Sequence, residues 1–206
     1  MQERANYIHI DGMDLAGKTT ATQNIVRITN NEWNSRRNSL SGENPMYILA
    51  DSLRLANAYD AETLGNLYVA ALMGDIRSFK WPEKNTIQDS TIILRSLAYH
   101  TVRGTPRISE VLIDLLPEHP KFDASYVLTA SLEERAKRLQ KRIEQAPQEV
   151  ADDDLMVLKK PDKFLAMETC LIDLAKQAFH SIVIDTTILT PDMVVGEINK
   201  NFNIKR

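Results

Sequence analysis

The sequence predicts an α/β fold, a three-layer α/β/α sandwich around a parallel sheet. Three observations point there. Apolar β-prone runs alternate with helical periodicity along the whole chain. The stretch Gly12-Met13-Asp14-Leu15-Ala16-Gly17-Lys18-Thr19 fits the phosphate-loop pattern G-x-x-x-x-G-K-[ST] at every fixed position, between an apolar run and a helical one. The 206 residues suffice for one sizeable core, and no repeat or linker divides them.

The elements follow in order. Residues 6–10 read as the first strand, and the helix after the loop runs to about residue 29. Gly12 and Gly17 permit the tight curl that aims free N–H groups at an anion. Lys18 supplies a point charge for the outer phosphates, and the Thr19 hydroxyl is placed for Mg²⁺. Residues 30–44 are polar and read as loop, with Arg36 and Arg37 as solvated surface. Residues 46–50 form a short apolar run and read as the second strand.

Asp60 caps the next helix, with Glu62 in its first turn. Leu64, Leu67, Tyr68, Ala71 and Leu72 make its buried stripe. A second line, Asn66, Val69, Met73 and Arg77, is compatible with a boundary face or with the wall of an acceptor pocket. Residues 91–94 read as the third strand, ending at Arg95-Ser96. Ligands sit at the carboxyl ends of parallel strands, so Arg95 is a candidate phosphate cation. Residues 108–116 form a helix stopped by Pro117. Residues 124–129 are the fourth strand. Ser131 and Glu134 then form a capping box, opening a helix that carries Arg135, Arg138 and Arg142 on one side. The Arg stripe suits movable charge for phosphoryl transfer and equally suits surface pairing with Glu133, Glu134 and Glu144. Residues 145–154 are acidic and aperiodic, the best candidate for a lid. A helix over 164–179, a strand over 181–185 and a helix from Pro191 complete the chain.

Net charge is −3, so no whole-molecule basic field favours a nucleic acid polymer. The single cysteine, Cys170, excludes an internal disulfide and a cysteine metal cluster. His9, His100, His119 and His180 never pair at metal-ligand spacing. Met1-Gln2-Glu3-Arg4 lacks a signal-peptide apolar segment, and no run reaches membrane-span length. A cytoplasmic protein without a membrane partner is expected.

With these motifs in place, the chain resembles the thymidylate kinase group of the phosphate-loop nucleoside and nucleotide kinases. Residues 11–20 look like that family's G-x-D-x-x-G-K-[ST]-T loop, with Asp14 as its acid. Ser96-Leu97-Ala98-Tyr99-His100 looks like its S-L-A-Y-Q segment. Residues 67–77 are similar to its apolar helix ending in an Arg. Residues 128–142 resemble its strand and Arg-bearing helix. The resemblance implies a five-stranded sheet in the order 2-3-1-4-5, a lid over about 138–160, and a single domain over 1–206. It implies transfer of the ATP γ-phosphoryl group to a nucleoside monophosphate, with dTMP to dTDP first, and a homodimer. Residues 12–20 and Thr187 would bind ATP, with Thr186 also near adenine and Thr19 on Mg²⁺. Asp14, Arg95, Ser96 and Tyr99 would hold the acceptor, with Arg77 and Met73 at its base. Lys18, Asp14, Arg95, Arg138 and Arg142 would act on the transferring group.

Two departures stand out. The family's Asp-Arg at the end of the third strand reads here as Leu94-Arg95, without the acid. Its E-P-G stretch is replaced by Ala50-Asp51-Ser52-Leu53-Arg54. A monophosphate acceptor tolerates a missing base better than a hydroxyl does, which favours the nucleotide. The alternatives are a deoxynucleoside kinase using Asp14 or Asp51 as base, and an ATP-binding protein with reduced catalysis that acts through a partner.

Overall fold

The structure, a computed structural model, describes residues 4–150 and 153–204. Five parallel strands form one sheet: β1 (Tyr7–Asp11), β2 (Asn34–Arg37), β3 (Thr86–Asp89), β4 (Ala124–Thr129) and β5 (Ile182–Asp185). Their spatial order is β2-β3-β1-β4-β5, as expected. The helices are α1 (Lys18–Ile28), α2 (Pro45–Leu55), α3 (Ala61–Ser78), α4 (Ile92–Arg103), α5 (Pro106–Leu115), α6 (Leu132–Gln145), α7 (Met156–Lys159), α8 (Pro161–Phe179) and α9 (Pro191–Asn201). Ile8 and Ile10 of β1 pack with Ala21 and Ile25 of α1 and Val194 and Ile198 of α9. On the other face, α3, α4, α5 and α8 bury Leu72, Leu97, Leu112 and Leu171 together with Val127 of β4. No described helix is long and apolar enough to cross a membrane.

Two strands lie elsewhere than the sequence suggests. The run at 46–50 is the start of α2. Asn44 caps it by accepting from the N–H groups of Met46 and Tyr47 at 3.0 and 3.1 Å, and Pro45 occupies the first turn. The second strand is the polar edge strand β2, which contains Arg36 and Arg37.

The run at 91–94 is also helical. Thr91 caps α4, and Ile92, Ile93 and Leu94 are buried on all sides. A short apolar run cannot distinguish a buried strand from a buried helix. The true third strand, Thr-Ile-Gln-Asp, is disguised by polar residues that are buried yet bonded. Gln88 accepts from Tyr7 Oη at 2.7 Å and donates to Ser90 O at 2.9 Å. The strand therefore ends on Asp89, and the acid that the sequence reading found missing is present.

Candidate active site

Strand β1 runs directly into the phosphate loop. Gly12 has φ 141°, and a Cβ there would lie 2.1 Å from Leu128 O of β4, so only glycine fits. Gly17 has φ 94° and leads into α1. Asp11, fully buried at the loop's root, accepts from Gly12 N at 2.8 Å and from Thr91 N at 3.2 Å. It thereby joins the loop to the cap of α4. Burial pushes the Asp11 carboxyl up, but the His9 hydrogen bond and the charges of His9, Arg95 and Lys18 outweigh that and hold it below the usual range. His9 continues to Ser125 Oγ at 2.8 Å, and Ser125 to Ser181 at 2.6 Å.

Lys18 is buried, and its ammonium donates to Gly12 O at 2.7 Å and Met13 O at 3.0 Å. Burial and then the nearby Arg95 charge lower its pKa. Thr19 and Thr20 are exposed in the first turn of α1, where helix N–H groups point outward. Leu15, with φ 63°, and Ala16 are buried in the curl, as is Met13.

Beside the loop, Arg95 of α4 donates to both Asp14 oxygens, at 3.1 and 3.2 Å. Burial acts upward on the Asp14 carboxyl, but Arg95 and Lys18 outweigh it and hold it well below the usual range. Ser96 and Tyr99 follow on α4, both half-buried. Asp89 stands on the carboxyl edge between β1 and β2, 6% exposed. Burial raises its pKa, and Lys18 opposes the rise. Arg37 lies in register with Asp89 on β2 and is exposed.

The three arginines of α6 have separate fates. Arg135 is fully buried. It donates to Ala130 O at 2.8 Å, to Asp14 O of the loop and to Glu168 of α8. Arg138 donates to Leu15 O at 2.9 Å and Thr186 O at 2.8 Å, and pairs with Glu134. Arg142 bonds both Asp154 oxygens at 3.0 Å. Thr187 accepts from Ser131 N at 2.9 Å, which links the turn after β5 to the start of α6.

The strand thus ends in a cradling loop with a buried lysine, and a guanidinium pairs with the loop's own carboxylate. The family profile for thymidylate kinase matches residues 10–197. The chain belongs to the thymidylate kinase family. The protein is thus a nucleoside monophosphate kinase, a phosphotransferase. No individual curated protein matches it by sequence. Among solved structures it is similar to thymidylate kinase from Candida albicans, at 18% identity and TM-score 0.68, covering 98% of this chain and 94% of that one. Thymidylate kinase from Ehrlichia chaffeensis matches at 16% identity and TM-score 0.64, covering 98% and 100%. Deoxyadenosine kinase from M. mycoides matches at 18% and 0.62, covering 96% and 98%. At these identities the likeness is one of fold.

In this thymidylate kinase family member, Gly12, Met13, Asp14, Leu15, Ala16, Gly17 and Lys18 form the loop, and Arg95 and Arg138 touch it. Arg142 faces Asp154 instead. Met73 packs against the core, whereas Arg77 is exposed in the last turn of α3. Its neighbour Ile76 lines a cleft of about 560 Å³ with Arg4 and Asp123, at the amino edge of the sheet. No hydrogen bond or ion pair joins Arg77 to the phosphate loop among the described residues. Sequence reasoning missed Asp89 and the bridging role of Asp11, and it named Arg135 in the arginine stripe without distinguishing it as the buried member. The signal for Asp89 was Asp-Ser-Thr ahead of an apolar run, which is a helix-start pattern.

Proposed function

We propose that the protein transfers the γ-phosphoryl group of ATP, with Mg²⁺, to a deoxynucleoside monophosphate, converting dTMP to dTDP. The observation that carries this reading is the Asp14–Arg95 pair at the mouth of the loop that holds Lys18. It supplies a cation for each of two phosphates that must meet. An oxygen of the acceptor phosphate attacks the γ-phosphorus, the bond to the β,γ-bridging oxygen breaks, and ADP leaves. The loop N–H groups and Lys18 hold the donor phosphates. Arg95 orients the acceptor phosphate and is itself aimed by Asp14. Arg138, already on the loop backbone, neutralises charge on the transferring group. Thr187 and its turn border the adenine side.

Magnesium supplies charge neutralisation across the donor phosphates when bound. The exposed Thr19 hydroxyl and the Asp89 carboxylate are hard oxygen donors that would hold it. No group of three or more acidic, His or Cys ligands occurs among the described residues. The lid of a single domain is assigned to residues 138–160, of which 151 and 152 lie outside the described residues, and the family resemblance supports a homodimer.

One observation favours a second reading. Asp89, with its raised pKa, is a carboxylate able to accept a proton from a hydroxyl. The argument for a monophosphate from a missing acid therefore falls, and a nucleoside 5′-hydroxyl is the alternative acceptor. A coupled assay with ATP, comparing dTMP and thymidine, separates the two. Turnover of dTMP supports the proposal. Turnover of thymidine alone refutes it, and ATP binding without any transfer supports a catalytically reduced protein.

A further inference from the structure

Helix α2 stands where the sequence reading had placed the second strand and its E-P-G replacement, and it carries two part-buried charged residues, Asp51 and Arg54. Arg54 donates through Nε to Asp51 Oδ1 at 3.0 Å and through Nη1 to Asp153 Oδ2 at 2.7 Å, 99 residues away. Tyr68 of α3 donates to the same Asp51 Oδ1 at 3.1 Å. The second carboxylate oxygen of Asp51 accepts no hydrogen bond among the described residues. Asp51 and Arg54 remain about one-third open, with side-chain exposures of 31% and 36%.

A continuous path joins this cluster to the phosphate site. Asn38 N donates to Asp89 O at 2.9 Å, and its side chain donates to Tyr47 Oη at 2.5 Å. The rings of Tyr47 and Tyr68 lie 6.0 Å apart. From the other side, Asp153, the partner of Arg54, lies within the electrostatic reach of Asp14 and Arg95. Part-exposed ion pairs add little stability, so folding alone gives weak reason for this arrangement. Its chemistry is specific: a carboxylate oxygen with spare acceptor capacity beside a guanidinium with spare donors, framed by aromatic rings.

We propose that Asp51 and Arg54 read the hydrogen-bonding edge of the acceptor base, with Tyr68 and Asp153 holding the pair in place. The matching edge is an imide, in which a ring N–H stands beside a carbonyl. Asp51 accepts from the N–H, and Arg54 donates to the carbonyl. This rests on the acceptor reading above and deepens it, because α2 takes the base-reading role that the sequence assigned to Arg77.

The test compares dTMP, dCMP and N3-methyl-dTMP, which lacks the imide N–H, in the wild type and in Asp51→Asn, Arg54→Gln and Arg54→Lys. A wild type that prefers dTMP to N3-methyl-dTMP by about tenfold or more is expected. Asp51→Asn should shrink that preference about tenfold while KM for ATP stays within about twofold. Arg54→Lys keeps the charge without the fork and should restore part of what Arg54→Gln loses. Equal losses on all three acceptors, or an unchanged preference, overturn the proposal. If the wild type turns over nucleosides alone, the monophosphate reading fails, and thymidine against N3-methylthymidine scores the same point. If nothing is turned over, calorimetric affinities for dTMP and its N3-methyl form decide, and equal values overturn the assignment.

Discussion

Replacing Arg135 with Met should be the most damaging single change away from the phosphates. The side chain is 0% exposed, lies 4.9 Å from the Phe164 ring centre, and bonds Ala130 O, Asp14 O and Glu168. Met fills much of the volume, so packing loss is small. The cost comes from Glu168, left as a buried carboxylate without its partner, at about 3–5 kcal/mol. The loop carbonyl at Asp14 also loses its donor, at about 1–3 kcal/mol. Protonation of Glu168 limits the total, since burial already raises its pKa even with Arg135 present. The loss measured by urea unfolding at pH 7 should therefore be about 3–5 kcal/mol and smaller at pH 5. Arg135→Met with Glu168→Leu should recover more than half of it. A single-variant loss below about 1 kcal/mol would show that the buried pair does not anchor the loop.

Three further outcomes follow from the geometry. Gly12→Ala puts a methyl onto Leu128 O and forces φ 141° on a residue with a Cβ, so nucleotide titration should find no ATP binding; retained affinity would contradict the contact. Asp89→Asn should cut kcat by about a hundredfold or more with little change in Tm, read by steady-state kinetics and thermal melting, and normal turnover would remove Asp89 from the site. Burial pushes His119 down to about 3, so the folded state keeps it neutral while the unfolded chain binds a proton below about pH 6.5. Stability should then fall by about 1.4 kcal/mol per pH unit from this group between those values, and His119→Phe should flatten that slope in pH-dependent unfolding.

The sequence was most informative where a single physical requirement fixes the residue. Gly12, Gly17 and Lys18 are dictated by the curl around an anion, and Ser131 with Glu134 marks the start of α6 as read, with Ser131 Oγ accepting from Glu134 N at 3.2 Å. It misled where apolarity and strand formation part company. Ile92, Ile93 and Leu94 are buried by helices on every side, so their run carries no period. Thr86, Gln88 and Asp89 are polar residues that reach a sheet interior because Tyr7, Lys84 and Ser90 supply partners. Misplacing that strand by five residues hid the acid of the site. The arginines of α6 share one helix side in sequence, yet the neighbouring carboxylates Glu168, Glu134 and Asp154 assign each a different task. Periodicity carries no information about those tertiary partners.

The central claim is that the curl around Lys18 grips a polyphosphate. Calorimetric titration of ATP, with and without Mg²⁺, into the wild type and Lys18→Ala tests it most directly. Magnesium-dependent binding to the wild type that weakens about a hundredfold or more in the variant is predicted. No ATP affinity in the wild type, or equal affinity in both proteins, would contradict it.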